Sequence, residues 1–205
     1  EPLGGHDPYS SSKAAAEILC ASWWRSFLKD SGRMGLSTAR AGNVVGGGDF
    51  APDRLVPDFV RARQSGQPVR LRYPAAVRPW QHVLEPIGGY LLLGQQLLRE
   101  PIRAAGEAFN FGPDEALTKS TIDLVQELEK SWPEATHIVH PLQDGKKEAG
   151  LLSLDPSKAA ERLGWKPRLS FAQTAAWTAE WYRETGQKQN FSELTRKQIA
   201  NFEAL

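Results

Sequence analysis

The chain has 205 residues, 40% hydrophobic and 24% charged, with 25 basic against 24 acidic side chains and a formal net charge of +1. That length buries a full core in one large domain or two small ones, and that charge gives no bulk attraction to nucleic acid or an anionic membrane, so neither is expected as a partner. The single cysteine, Cys20, excludes an internal disulfide and points to a reducing compartment, the cytoplasm, while no apolar run approaches the roughly 20 residues of a membrane span.

The opening stretch E-P-L-G-G-H-D-P lacks the charged and apolar regions of a signal peptide. Pro2, Gly4, Gly5 and Pro8 punctuate it as a loop, and a chain rarely starts inside a loop, so a missing upstream part is expected. A long helix is predicted over 9–30: Ala14, Ala15, Ala16 and Glu17 favour it, and Leu19, Trp23 and Phe27 recur at four-residue spacing. Gly32 and Gly35 end it. Residues 36–45 form a strand running into glycines, and a helix over 54–65 stops near Gly66. Val69 to Leu71 is a short strand, Pro79 to Val83 is extended, and 84–99 is helix. A strand at Ala108 to Phe111 precedes a G-P-D turn, Thr118 caps a helix over 119–131, and Thr136 to His140 is a strand. Asp155 caps the next helix, with Pro156 at its first position and Gly164 past its end. Ser170 and Gln173 make a capping-box pattern before a helix to Thr185 closed by Gly186, and a last helix covers 191–204. Strands alternate with helices, so the class is α/β.

Tyr9 and Lys13 stand four apart in the predicted first helix, on one face. A free tyrosine, with a pKa of about 10, is a poor base at neutral pH. A neighbouring ammonium favours the phenolate, and the pair can then take a proton from a sugar or alcohol hydroxyl while a nicotinamide takes the hydride. By itself the pattern equally fits a surface lysine beside a half-buried tyrosine.

Further along lie A-R-A-G-N-V-V-G-G-G-D at 39–49, D-R-L-V-P-D at 53–58, A-V-R-P-W-Q-H-V-L-E-P at 76–86, N-F-G-P at 110–113 and L-D-P-S-K-A-A-E-R-L-G-W-K-P at 154–167. With P-L-G-G-x-D-P-Y-S-S-S-K at the start, this ordered series resembles the extended short-chain dehydrogenase/reductases that act on nucleotide-linked sugars, and among them most of all the CDP-glucose 4,6-dehydratases. The likeness runs over essentially the whole chain.

The resemblance implies a lyase that uses NAD in deoxysugar biosynthesis of the lipopolysaccharide O-antigen kind. The sugar is oxidised at C4, water is lost across C5–C6, and hydride returns to C6, giving CDP-4-keto-6-deoxyglucose from CDP-glucose. It implies Tyr9 as catalytic base and Lys13 as its partner, both also against the cofactor. Asn43, Arg54, Leu55, Arg78 and Lys147 fall on substrate-binding positions. A guanidinium such as that of Arg78 forks well onto diphosphate oxygens. The plainer alternatives stay open: a turn-forming asparagine beside Gly42, a surface ion pair for Arg78, a solvated face for Arg70 and Arg72, and simple packing for Trp80 and His82. Residues 146–149 read K-K-E-A where P-H-E-A is expected, so Lys147 replaces a histidine near the substrate. His137 and His140 face opposite sides of a strand, and no metal is expected.

The resemblance also implies what is absent. Family members carry a glycine-rich turn whose amides approach the cofactor pyrophosphate, and a T-S-D-K-like segment near the reacting sugar. Neither occurs in this sequence. The expected fold is therefore the C-terminal part of a Rossmann-type fold with a smaller mixed α/β substrate domain. Residues 1–50 would hold the catalytic tyrosine helix and a late Rossmann strand. Residues 51–205 would be mainly the sugar-nucleotide domain, with 84–112 returning to the Rossmann sheet. A homodimer through the tyrosine helix is the expected assembly. Two alternatives are a nucleotide-sugar 4-epimerase of the same family and a non-catalytic binding remnant.

Overall fold

A computed structural model of the chain describes residues 3–5, 7–114, 119–132, 137–139, 150–185 and 190–205. The first helix, α1 (Pro8–Trp23), loosens at its end into a π turn, Trp24–Leu28, and a 3-10 turn, Lys29–Ser31, before Gly32 closes it at φ 63°. The predicted 9–30 helix is thus three segments. The wide turn begins at Trp24, the buried residue of that segment, whose indole occupies the space a Cβ on Gly106 would need.

The predicted 36–45 strand is also divided. β1 (Thr38–Ala41) pairs with β6 (Ala108–Phe111), whereas β2 (Asn43–Val45) runs parallel to β5 (Trp80–His82) with Asn43 opposite Trp80 and Val45 opposite His82. Gly42 makes the break. A Cβ there would lie 2.6 Å from Pro79 Cγ and 2.8 Å from Pro79 O, so the close approach excludes any larger residue.

Next come α2 (Leu55–Gln64), β3 (Val69–Leu71) and β4 (Val77–Arg78). β3 runs parallel to β8 (His137–Val139), and β4 is antiparallel to β7 (Lys119–Ser120), a pair too short for the sequence pattern to announce. α3 (Leu84–Arg99) has the predicted bounds. Two caps differ from expectation. Ser120, not Thr118, caps α4 (Thr121–Ser131): its hydroxyl accepts the Asp123 N–H at 3.2 Å and its own N–H donates to Asp123 Oδ2 at 2.8 Å. The Ser120 hydroxyl also bonds the Asp123 carboxyl and holds it below its usual range. Thr118 lies outside the described residues. α5 (Ser157–Leu163) starts one residue later than predicted, with Pro156 at the cap in place of Asp155, and Gly164 ends it at φ 70°. The predicted box before α6 (Phe171–Thr185) is present, with Ser170 and Gln173 bonded reciprocally at 2.9 and 3.2 Å. Asn190 caps α7 (Phe191–Glu203).

Two compact units result. The first comprises Glu1–Arg40, Ile87–Phe111 and Pro156–Lys166; the second comprises Ala41–Pro86, Gly112–Asp155 and Pro167–Leu205. In the first, Leu93, Ala104, Phe109, Phe111, Ala159 and Trp165 form the core, with Phe111 edge-on to Trp165 at 5.1 Å. In the second, Val45, Phe59, Leu71, Trp80, Leu124 and Trp181 belong to a larger core that joins β2, β3 and β5 to α2, α4 and α6. Among the described residues no helix is long and apolar enough to cross a membrane. The alternation of helices and mostly parallel strands is the α/β class predicted.

Candidate active site

Asp7 fixes where α1 begins. Its side chain accepts the N–H groups of Tyr9 and Ser10 at 2.9 and 3.0 Å, and Pro8 occupies the first helical position. The Ser10 hydroxyl and N–H together hold the Asp7 carboxyl below its usual range. Tyr9 is thereby locked into the first turn, 72% exposed, and Lys13 follows one turn later. The Lys13 ammonium lies 5.4 Å from the centre of the Tyr9 ring. The structure therefore brings together the two residues that the sequence pairs. Their face is open to solvent, the setting in which a phenol and an ammonium can reach hydroxyl groups of a ligand.

One turn beyond Lys13 is Glu17, whose carboxylate is gripped on both oxygens by Nε and Nη2 of Arg40 in β1. Thr38 Oγ1 adds a 3.4 Å contact to the same carboxylate, and Arg40 Nη1 donates to Asn110 Oδ1 at 3.4 Å. The Arg40 guanidinium holds the Glu17 carboxyl below its usual range. The sequence reading missed this pair. Its available signal was an acid at helical spacing from Lys13 and an arginine in the first strand.

The second unit carries Asn43, Arg54, Leu55 and Arg78. Asn43 is half-buried at the start of β2, opposite Trp80. Arg78, two residues before Trp80, is 7% exposed and donates to the Val77 carbonyl at 2.8 Å, so it is buried rather than set on a solvated face. Arg54 is exposed and pairs with Asp49 Oδ2 at 3.1 Å, while Leu55 opens α2 and packs on the core. Arg70 is exposed, and Arg72 is paired with Asp53 at 3.6 Å. Lys147 lies outside the described residues. Among those described, no cluster of three metal-ligating side chains occurs.

His82 and Glu85 are ionisable groups buried beside Trp80 in chain order, and the sequence pattern marks neither beyond packing. His82, 1% exposed, stands edge-on to Trp177 at 5.8 Å, and burial pushes its imidazole down to about 4. Glu85, 2% exposed, accepts the N–H groups of Arg168 and Leu169, and burial pushes its carboxyl up. The signal for both was their place in the R-P-W-Q-H-V-L-E-P segment.

Comparison with known proteins places the chain. The family profile described as GDP-mannose 4,6 dehydratase matches residues 1–178. The chain is 36% identical over 206 residues to CDP-glucose 4,6-dehydratase of Salmonella typhimurium, covering 98% of this chain and 57% of that protein. It is 34% identical over 185 residues to dTDP-glucose 4,6-dehydratase of Streptomyces antibioticus, covering 90% and 51%. Among solved structures, DesIV, a dTDP-glucose 4,6-dehydratase from Streptomyces venezuelae with NAD and TYD bound, superposes with a TM-score of 0.69 at 28% identity, over 89% of this chain and 53% of that one. A UDP-glucose-4-epimerase from Stenotrophomonas maltophila gives 0.74 at 21%, over 91% and 57%, a likeness of fold. The fold is accordingly of the Rossmann type. The chain spans about half the length of the relatives it matches.

Proposed function

The chain belongs to the GDP-mannose 4,6 dehydratase family, and from that premise we propose that it is the C-terminal part of an NAD-dependent lyase that dehydrates CDP-glucose to CDP-4-keto-6-deoxyglucose. The observation that carries the reading is the Lys13 ammonium standing 5.4 Å from the Tyr9 ring on the capped first turn of α1. The choice of CDP-glucose is supported by the 36% identity to the Salmonella typhimurium enzyme over 98% of the chain.

The open Tyr9–Lys13 face fits a nicotinamide nucleotide, since no ion pair ties the Lys13 ammonium among the described residues and its donors are available to ribose hydroxyls. When bound, NAD supplies the hydride acceptor and donor. Tyr9 takes the proton of the sugar C4 hydroxyl, with Lys13 one turn away on the same face. Lys13 and Tyr9 also hold the cofactor ribose. In this reading the first unit is Rossmann in character, and the second is mainly the sugar-nucleotide domain. Asn43 bonds a sugar or diphosphate oxygen, and Arg78 forks onto the diphosphate. Arg54 and the backbone at Leu55 lie along the nucleotide, with Lys147 near the substrate. The protein works in the cytoplasm as a homodimer paired through α1.

The test is ketone formation from CDP-glucose with NAD present. The 205-residue chain alone is expected to form none. Joined to the N-terminal half of the Salmonella typhimurium relative, it is expected to turn over, and Tyr9→Phe in that protein abolishes turnover while sparing CDP-glucose affinity. Interconversion of C4 epimers without ketone, or turnover by Tyr9→Phe, overturns the reading.

A further inference from the structure

Lys13 sits midway on one face of α1, four residues after Tyr9 and four before Glu17. Either neighbour is within reach of a lysine at that spacing, the acid by an ion pair and the ring by a cation–π contact. Yet no ion pair joins Lys13 to Glu17 among the described residues, and the ammonium lies over the Tyr9 ring. The reason is visible across the unit. Both Glu17 oxygens are taken by the guanidinium fork of Arg40, with Thr38 Oγ1 at 3.4 Å on one of them. Asn110 Oδ1 in turn steadies Arg40 at 3.4 Å. Glu17 is half-buried against β1, whereas Lys13 and Tyr9 are exposed.

We propose that Arg40 is a positioning residue: by holding the Glu17 carboxylate against β1 it keeps that acid from Lys13 and so leaves the lysine to Tyr9. A fork is suited to this, because an ammonium at the same place satisfies one carboxylate oxygen and leaves the other free to turn along the helix. The importance of the device for catalysis rests on the dehydratase reading, but its geometry does not.

The experiment is nuclear magnetic resonance on the 205-residue chain, reading the Overhauser cross-peak between the Tyr9 ring and the Lys13 ε-methylene, assigned by its loss in Tyr9→Phe and Lys13→Arg. In Arg40→Gln the cross-peak should weaken by roughly twofold, the population shift that an i,i+4 charge pair produces. In the double variant Arg40→Gln/Glu17→Gln it should return, because no acid remains to capture Lys13. A cross-peak unchanged in Arg40→Gln, or still weak in the double variant, overturns the proposal; the second result would mean that Arg40 merely supports the helix. If Arg40→Gln is unfolded by far-ultraviolet dichroism, Arg40→Lys takes its place, and an undiminished cross-peak there overturns the proposal equally. None of these readings needs turnover, so a chain that makes no ketone in the earlier test leaves this result standing.

Discussion

Tyr182 and Asp49 are joined twice: the Tyr182 hydroxyl donates to the Asp49 carbonyl at 2.6 Å and accepts the Asp49 N–H at 3.0 Å. The phenol is 1% exposed, and burial pushes it up to about 12, so it stays neutral and keeps both bonds throughout the working pH range. These bonds pin the G-G-G-D loop to α6. At Gly47 the backbone lies so close to the Trp181 ring that no side chain fits. The same loop supplies Asp49 to Arg54. Tyr182→Phe keeps the ring and deletes both bonds, leaving a backbone donor and acceptor to find water. It should cost about 1–3 kcal/mol, read as a lowered urea midpoint with unchanged slope, and faster amide exchange at Asp49. A stability within about 0.3 kcal/mol of the parent would show that the loop is held by packing alone.

His82 should dominate the first stage of acid destabilisation. Its buried imidazole titrates at about 4, against an ordinary value of 6.5. Between those values the unfolded chain binds a proton that the folded chain refuses. The stability His82 contributes is therefore complete above pH 6.5 and lost as pH falls toward 4, by about 3 kcal/mol in all. His82→Leu removes the titration and should flatten the urea midpoint between pH 6.5 and 5. An undiminished slope in the variant would assign the effect to other groups.

What the sequence made legible was whatever is set by short-range pattern. The span of α3, the Ser170–Gln173 box and the Tyr9–Lys13 pairing all follow from spacings of three or four residues, and all are present. The division at Gly42 was not legible, because it depends on Pro79, 37 residues away, crowding the backbone. The π turn at Trp24 depends likewise on the room left at Gly106. For the site, the residue types were readable but not their surroundings. Arg78 reads as a diphosphate-binding base, with a surface ion pair as the plainer alternative, and nothing in the pattern announces its burial; Arg40 reads as a strand residue and grips Glu17. Both outcomes are fixed by tertiary contacts that leave no periodic trace.

The outer face of α1 and of the π turn that continues it bears on assembly. Ile18, Leu19, Trp23 and Phe27 are each more than half exposed, and the Trp23 and Phe27 rings lie against one another at 4.7 Å, tilted by 51°. Such a stripe is costly to leave in water, and a two-fold partner offering the same stripe would cover it. If α1 is the dimer face, Leu19→Glu/Phe27→Glu should convert a dimer into a monomer in sedimentation at micromolar concentration, with helix content unchanged. A monomeric parent chain, or a dimer untouched by the double substitution, would remove α1 from the interface.

Glu85 gives a pH dependence of the opposite sense to His82. Its Oε1 accepts the N–H groups of Arg168 at 2.8 Å and Leu169 at 2.6 Å, tying the first turn of α3 to the segment before α6. Burial raises its carboxyl above the ordinary 4.5, and the two backbone donors and the Arg168 charge only partly offset that. Above pH 4.5 the unfolded chain has released this proton while the folded chain still holds it. The unfolded state then binds fewer protons, so stability falls as pH rises from 4.5 toward the raised value. Glu85→Gln keeps an oxygen for both N–H groups and cannot ionise. It should fold as stably as the parent at pH 4.5 and more stably at neutral pH. Glu85→Leu leaves both N–H groups without an acceptor and should cost about 1–3 kcal/mol at either pH. Urea titration of the two variants at pH 4.5 and 7 separates the contributions. A Glu85→Gln protein less stable than the parent at pH 7 would mean that the folded chain carries Glu85 as a carboxylate, stabilised by its two backbone donors beyond the cost of burial.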